Sequence, residues 1–434
     1  MAIATSTPVP WPAPTASGPV TSSVRLPGSK SMTARALVLA AVSTGTSTLR
    51  APLRARDTEL MAAGLRALGV HVSSRDDELW TVRARPLSGP ASIDVGLAGT
   101  VMRFLPAVAA LADGPVTFDG DPAARQRPMA PLITALRALG VDIASANGGL
   151  PLTVNGSGRV QGGEVTIDAS ASSQLVSGLL LAASEFDRGI VVRHDGPKVP
   201  SAPHLRMTTQ MLRLAGAAVD DSTPNVWTVE SGRLTGRAWN IEPDLSGAAP
   251  FLAAALVTGG EVTIADWPIG TTQPGDQLRE LLTTMGGAAT LTPEGLTLRG
   301  TGRIHGLTAD LSEVGELTPV LAALAALADS PSRLTGIGHI RAHETDRLAA
   351  LARELGRLGV QVHELADGLE IHPRPLTGSV FETYDDHRMA HAAAVIGLTV
   401  PGVNLTDVAC TSKTLPQFPA LWSAMVRGTA GGNG

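Results

Sequence analysis

Lysine occurs at only three positions, Lys30, Lys198 and Lys413, against 31 arginines. A chain that uses arginine almost everywhere keeps lysine where it needs a compact charge whose proton burial can loosen, which arginine does not offer. Lys30 lies in LPGSKSMTARAL (26–37), a Pro-Gly turn followed by Ser-Lys-Ser and a helical pattern. Backbone N–H groups and the helix dipole favour an anion at such a start, and Lys30 can reach a phosphate or carboxylate there, with Ser31 and Arg35 on the same side. The segment lacks the G-x-x-x-x-G-K-[ST] spacing of a nucleotide-binding loop. Lys413 lies in a short polar turn, CTSKTLPQFP.

Other helix starts repeat the theme. In GLAGTVMRFLP, Gly99 lets the backbone approach a ligand, Thr100 is expected to cap the helix, and Arg103 follows in the first turn. DPAARQRPMAPL adds Arg125 and Arg127, and SASSQLVSGLL offers Ser172, Ser173 and Gln174, hydroxyls and an amide suited to a phosphate or polyol. Farther on, Glu316 precedes a strongly apolar helix. RAHETDRL packs His343, Glu344, Asp346 and Arg347 together, with Thr345 read as part of a capping box. TYDDHRMAHAAAVIG sets Asp386, His387 and Arg388 at another start. Basic residues at five or six helix starts, in a chain of net charge −5, point to one site for several anions. Neither H-E-x-x-H nor G-x-S-x-G occurs, so no metal site and no serine-hydrolase elbow are expected.

The elements that position these residues must be built from small side chains. Hydrophobic residues make up 44% of the 434 positions but aromatics only 3%, so the core is Ala, Val and Leu, in thin helices against sheets. The length suggests two or three domains. The acidic balance argues against a nucleic-acid partner. A single cysteine, Cys410, excludes a disulfide framework and fits the cytoplasm. The longest apolar runs, such as 320–328, fall short of the roughly 20 residues of a membrane span. The Pro/Ala/Ser/Thr-rich residues 1–18 read as a flexible lead-in without signal-peptide character, and 428–434 as a flexible tail.

Two interleaved series reveal a repeat. Helical segments end on Gly69, Gly140, Gly216, Gly286 and Gly359, at steps of 70 to 76 residues. Short strand patterns align Leu49, Phe118, Val192, Ile264, Leu334 and Leu405 at steps of 69 to 74. Six copies of a β-α-β-α-β-β unit, in two domains of three, account for nearly the whole chain.

The motifs PGSKSMTARAL, LAGTVMR, RQRP, SASSQ, ELTP, HETDRL, DDHRMA and SKTLPQF resemble, in order and spacing, those of the 5-enolpyruvylshikimate-3-phosphate synthase family. The resemblance implies an α/β (α+β) fold of the enolpyruvyl transferase type, an inside-out α/β barrel in each domain. It assigns 26–243 to a shikimate 3-phosphate domain, and 19–25 with 244–427 to a phosphoenolpyruvate domain. It implies transfer of the enolpyruvyl group of phosphoenolpyruvate to the 5-hydroxyl of shikimate 3-phosphate, a step of aromatic amino acid biosynthesis and the target of glyphosate, without cofactor, by a monomer. Shikimate 3-phosphate would meet Lys30, Ser31, Arg35, Ser172, Ser173, Gln174, Ser201, Glu316 and His343. Phosphoenolpyruvate would meet Lys30, Gly99, Arg127, Gln174, Arg347, Arg388 and Lys413. Glu316 would be the base, and either Glu344, its pKa raised by burial, or Lys30 the acid. Glu316 and His343 stand where many members carry Asp and Lys. The alternatives are the sister transferase acting on UDP-N-acetylglucosamine, whose motifs use a Lys-Asn pair and commonly a catalytic cysteine, and a non-catalytic phosphometabolite-binding protein on the same fold.

So many cations in one site should repel each other when it is empty, and an open form that closes on shikimate 3-phosphate is expected. Small-angle scattering should show smaller dimensions with that ligand; unchanged dimensions would refute closure.

Overall fold

The structure is a computed structural model that describes residues 10–74, 76 and 78–428. Its secondary structure falls into repeated modules, and the two sequence series land on equivalent places in them. Six helices are buried almost all round: α1 (Lys30–Val42), α3 (Gly99–Ala109), α5 (Gln174–Leu180), α7 (Ala249–Thr258), α9 (Thr318–Ala326) and α11 (His387–Gly397). Every residue of α3, α9 and α11 is buried, so these helices lie at a core and present no polar flank. Six others alternate with them: α2 (Arg56–Ala67), α4 (Ala130–Ala138), α6 (Pro203–Ala215), α8 (Leu278–Thr284), α10 (Arg347–Arg357) and α12 (Phe418–Val426). Most of these bury one face and expose the other. The first five end at Gly69, Gly140, Gly216, Gly286 and Gly359, each with φ between 89° and 105°, a left-handed closure that favours glycine.

Each module folds its strands into one sheet. In the second module Ala91–Asp94 runs parallel to Asp113–Asp119, which pairs antiparallel with Leu152–Ser157, and Asp142–Ser145 closes the sheet. Leu49, Phe118, Val192, Ile264, Leu334 and Leu405 all lie on the strand that follows the buried helix of their module. Three modules borrow a strand from far along the chain. Ala238–Asn240 lies parallel to Thr46–Arg50, and Thr21–Val24 lies parallel to Glu261–Ala265. The sixth sheet has three strands instead of four: Val380–Phe381, Asn404–Leu405 and, antiparallel to the latter, Trp11–Pro12.

This last pairing corrects the flexible lead-in expected over 1–18. From Trp11 the segment is tied down, with Ala13 N–H donating to Val403 O (3.0 Å) and Ala16 N–H to Leu398 O (2.9 Å). Residues 1–9 and 429–434 lie outside the described residues.

The chain divides into two compact bodies, one of Pro27–Glu242 and one combining the residues up to Leu26 with Pro243 onward. Each has its own apolar core. In the first, α3 packs on α1 and α5; in the second, α7, α9 and α11 pack mutually. Small side chains permit this closeness, as at Gly178 on α5, where a Cβ would collide with the carbonyl oxygen of Arg103 on α3. Gly178→Ala should therefore wedge α5 from α3 and lower stability by about 1–3 kcal/mol, read from denaturant unfolding.

Candidate active site

With their flanks packed, the buried helices can offer polar groups only at their ends, and the sequence-predicted residues gather at their N-terminal ends. In the first body, Gly28 makes the entry to α1 possible, since a Cβ there would collide with the carbonyl oxygen of Ala51. Ser29 caps the helix by accepting from Met32 N–H at 3.4 Å. Lys30 then points its Nζ to Asp57 Oδ2 at 3.2 Å, from the first turn of α2, where Asp57 is only 3% exposed.

At the start of α3, the missing side chain of Gly99 is what allows two groups to converge. A Cβ would lie 2.9 Å from Gln174 Oε1 and 3.0 Å from both terminal nitrogens of Arg127. Arg127 donates to Leu97 O at 3.1 Å. Arg103 donates to Gln174 Oε1 at 2.9 Å and to Ser172 Oγ at 3.4 Å, while Ser172 Oγ also accepts from Gln174 N–H at 3.3 Å. Burial, and then the charge of Arg127, push Arg103 well below the usual guanidinium value. Two guanidiniums that disfavour each other beside a glycine-opened helix start suit an anion. Ser173 is buried at the cap of α5, and Ser201 sits ahead of α6 with φ +53°.

Arg35, beside Ser31 on α1, is held in place by the protein around it. It is 1% exposed, and all three of its nitrogens donate within the protein: Nε to Thr208 Oγ1, Nη2 to Ser177 Oγ and His204 O, and Nη1 to the carbonyl of Ser31 at 3.0 Å. Burial lowers its pKa to about 9. Arg35 thus braces Ser31 from behind. Thr100 does not cap α3, whose cap position is Ala98.

In the second body three helix starts meet. Ser246, in the turn before α7, donates from Oγ to Glu316 Oε1 at 3.2 Å, just before α9. Arg388, in the first turn of α11, donates to Ser246 O at 2.6 Å. Glu316 keeps an accessible edge, but burial raises its pKa against the opposing effects of its own backbone, Arg388, Ser246 and Arg347. Arg347 opens α10 and holds Asp386 through two bonds, at 2.7 and 3.0 Å, with both side chains buried. Asp386 also caps α11 by accepting from Arg388 N–H at 2.9 Å. The cap of α10 is Asp346, not the expected Thr345. His343 places Nδ1 3.3 Å from Arg347 Nη1. Arginine has no acceptor, so Nδ1 accepts in this contact.

Glu344 contradicts its expectation. Burial alone would raise its pKa, but His387 Nδ1 at 3.0 Å, Lys413 Nζ at 2.9 Å and the Arg347 charge together hold it well below the ordinary carboxyl range. It is a carboxylate here. Glu344, Asp386 and His387 bring three potential metal-ligand atoms within 4.8 Å of one another. Arg347 and Lys413 already neutralise both carboxylates, a poor setting for a further cation.

The profile of the family described as EPSP synthase (3-phosphoshikimate 1-carboxyvinyltransferase) matches residues 14–422. The chain is 52% identical over 429 residues to a 3-phosphoshikimate 1-carboxyvinyltransferase of Mycobacterium ulcerans (strain Agy99), covering 97% of this chain and 99% of that one. The chain belongs to the EPSP synthase family. An EPSP synthase from Acinetobacter baumannii shares the fold with a TM-score of 0.79 at 23% identity, over 96% of this chain and 97% of that one. The enolpyruvyl transferase NikO from Streptomyces tendae does so at 0.77 and 17%, over 96% and 98%.

Sequence reasoning about this EPSP synthase family member missed Asp57 and Ser246, and left Arg103, Asp386 and His387 outside the binding sets. Asp57 looks like an ordinary first-turn acid, and Ser246 like a loop serine. Asp386 and His387 did carry a signal, the density of charge at the start of an all-apolar helix.

The raised carboxyl of Glu316 makes a signed prediction. A folded-state pKa above the unfolded value contributes stability below the unfolded pKa and loses it as pH rises through the folded one. Glu316→Gln stays neutral throughout, so its thermal midpoint should match the parent near pH 4 and exceed it progressively as the pH rises above the ordinary carboxyl range. Parallel melting curves across that range check this.

Proposed function

We propose that this protein transfers the enolpyruvyl group of phosphoenolpyruvate to the 5-hydroxyl of shikimate 3-phosphate, releasing phosphate. The observation that carries the reading is Glu316, a carboxyl raised by burial, hydrogen-bonded by Ser246 and set near Arg388 and Arg347. A base for a hydroxyl is thereby placed among cations for an anionic partner. The 52% identity to a 3-phosphoshikimate 1-carboxyvinyltransferase supports the same acceptor over UDP-N-acetylglucosamine. Burial also pushes the Cys410 thiol up, away from the reactive thiolate a cysteine-dependent sister enzyme needs.

We assign shikimate 3-phosphate to Lys30, Ser31, Ser172, Ser173, Gln174, Ser201, Glu316 and His343. Phosphoenolpyruvate goes to Lys30, Gly99, Arg127, Gln174, Arg347, Arg388 and Lys413. Arg35, beside Ser31, belongs to the same shikimate 3-phosphate set. Glu316 takes the 5-hydroxyl proton while the oxygen bonds to C2 and C3 gains a proton, giving a tetrahedral adduct. Loss of a C3 proton and cleavage of the C2–O bond to phosphate then restore the double bond. Glu344 acquires a proton only when a substrate anion draws Lys413 away and leaves its buried carboxylate under-neutralised. Lys30, whose Nζ lies 3.2 Å from Asp57 Oδ2, is the other proton donor. His343 serves as a hydrogen-bonding group on the substrate.

No helix among the described residues is long and apolar enough to cross a membrane. We place the enzyme in the cytoplasm, as the single cysteine suggests, working as a monomer because one chain supplies every assigned residue.

Phosphate release from the purified protein tests the reading. Release is expected only with both substrates present, and Glu316→Gln should lower it about 10²–10⁴-fold. No release with either shikimate 3-phosphate or UDP-N-acetylglucosamine as acceptor would leave a binding protein.

A further inference from the structure

Directly before α11 the backbone does something unusual for residues other than glycine. Tyr384 and Asp385 stand consecutively in the left-handed region, with φ of 54° and 52°. Side-chain-bearing residues visit that region at a cost, and a consecutive pair persists only where the surroundings impose it. Here one carboxylate imposes it. Glu354 on α10 is fully buried, and its Oε1 accepts from the Tyr384 hydroxyl at 2.6 Å while its Oε2 accepts from Glu382 N–H at 3.1 Å. Arg357 donates to both oxygens, at 3.0 and 2.9 Å, and so holds the carboxylate in place. Arg353 adds a bond to the tyrosine oxygen at 3.4 Å.

The far side of the same turn is also held by α10, through the Arg347 bonds to Asp386. Arg347 and Glu354 are seven residues apart, two turns along one face of the helix. The helix therefore grips the segment at two points, one on each side of the left-handed pair. What leaves this grip is the first turn of α11, with His387 on Glu344 and Arg388 on Ser246 O. The Tyr384 hydroxyl bonds Glu354 and Arg353 instead of those groups, yet it sets the path of the chain into all of them.

We infer that Tyr384, hooked onto Glu354, is a positioning residue that aims Asp386, His387 and Arg388 into the enolpyruvyl-transfer site. The inference rests on the function proposed above. It gives the buried Glu354 and the chain's only tyrosine a task that an ordinary surface turn would not need.

The test compares Tyr384→Phe with Asp385→Gly in the full-length protein. The first removes the hook. The second keeps the turn, because glycine adopts φ near +52° freely. For Tyr384→Phe, kcat should fall about ten- to a hundredfold, with KM for phosphoenolpyruvate raised and KM for shikimate 3-phosphate within about twofold. Its thermal midpoint should stay within about 4 °C of the parent. Asp385→Gly should keep parental kinetics. Full activity in Tyr384→Phe would overturn the inference, and so would loss of activity in step with a collapsed midpoint, which would make the tyrosine a fold strut only. A readout independent of turnover uses the single tyrosine labelled with carbon-13 at its ring Cζ. Its one resonance should shift in Glu354→Gln, and an unmoved signal would show that the hook does not exist in solution. Failure of the parent to release phosphate would count against the proposed function, whereas the resonance would still decide the hook.

Discussion

Everything in this molecule follows from helices that have no polar flank. When all residues of α3, α9 and α11 are packed against protein, the backbone N–H groups at their starts are what remains to meet water or a ligand. Repeating the module three times in each body multiplies those starts, and packing the helices together collects them. The same packing demands alanine and glycine along the flanks, as the Gly178–Arg103 approach illustrates. The scarcity of aromatic residues and the richness in anion-binding motifs thus have one origin.

The electrostatics of the unliganded protein are more balanced than a count of cations suggests. Lys30 has Asp57, Arg347 has Asp386, and Lys413 has Glu344. Each carboxylate occupies the place a substrate anion could take, and keeps a cation ordered and charged in a site where burial would otherwise work against it. Repulsion among bare charges is therefore a weaker force in the empty state than the sequence implies. An arriving anion exchanges one partner for another, and the carboxylate left behind, Glu344 above all, changes its appetite for a proton.

Much of this was legible in the residues. The strand positions from Leu49 to Leu405 and the closing glycines gave the module and its period, because both are local features governed by backbone geometry. The helix-start motifs supplied the residues proposed for the site. What could not be read was anything decided by a distant partner. The bonds that orient Arg35 come from Thr208, Ser177 and His204, all far along the chain. The pKa of Glu344 turned on His387 and Lys413, 43 and 69 positions away, which together with Arg347 reverse the sign that burial alone gives. Asp57 had no signature of its own. Trp11–Pro12 looked like a loose lead-in because its partner strand lies almost at the other end of the chain.

That last pairing bears on how the chain is made. The body Pro27–Glu242 contains all its own strands and can complete itself as soon as that stretch has emerged from the ribosome. The other body is stitched from both ends: Thr21–Val24 waits for Glu261–Ala265, and Trp11–Pro12 waits for Asn404–Leu405. Its first two strands are synthesised first and find their partners last, with an entire finished body folded in between. These two strands consequently stay unpaired through most of the synthesis that follows them, and the closing stitch of the fold uses a segment made before the body it completes.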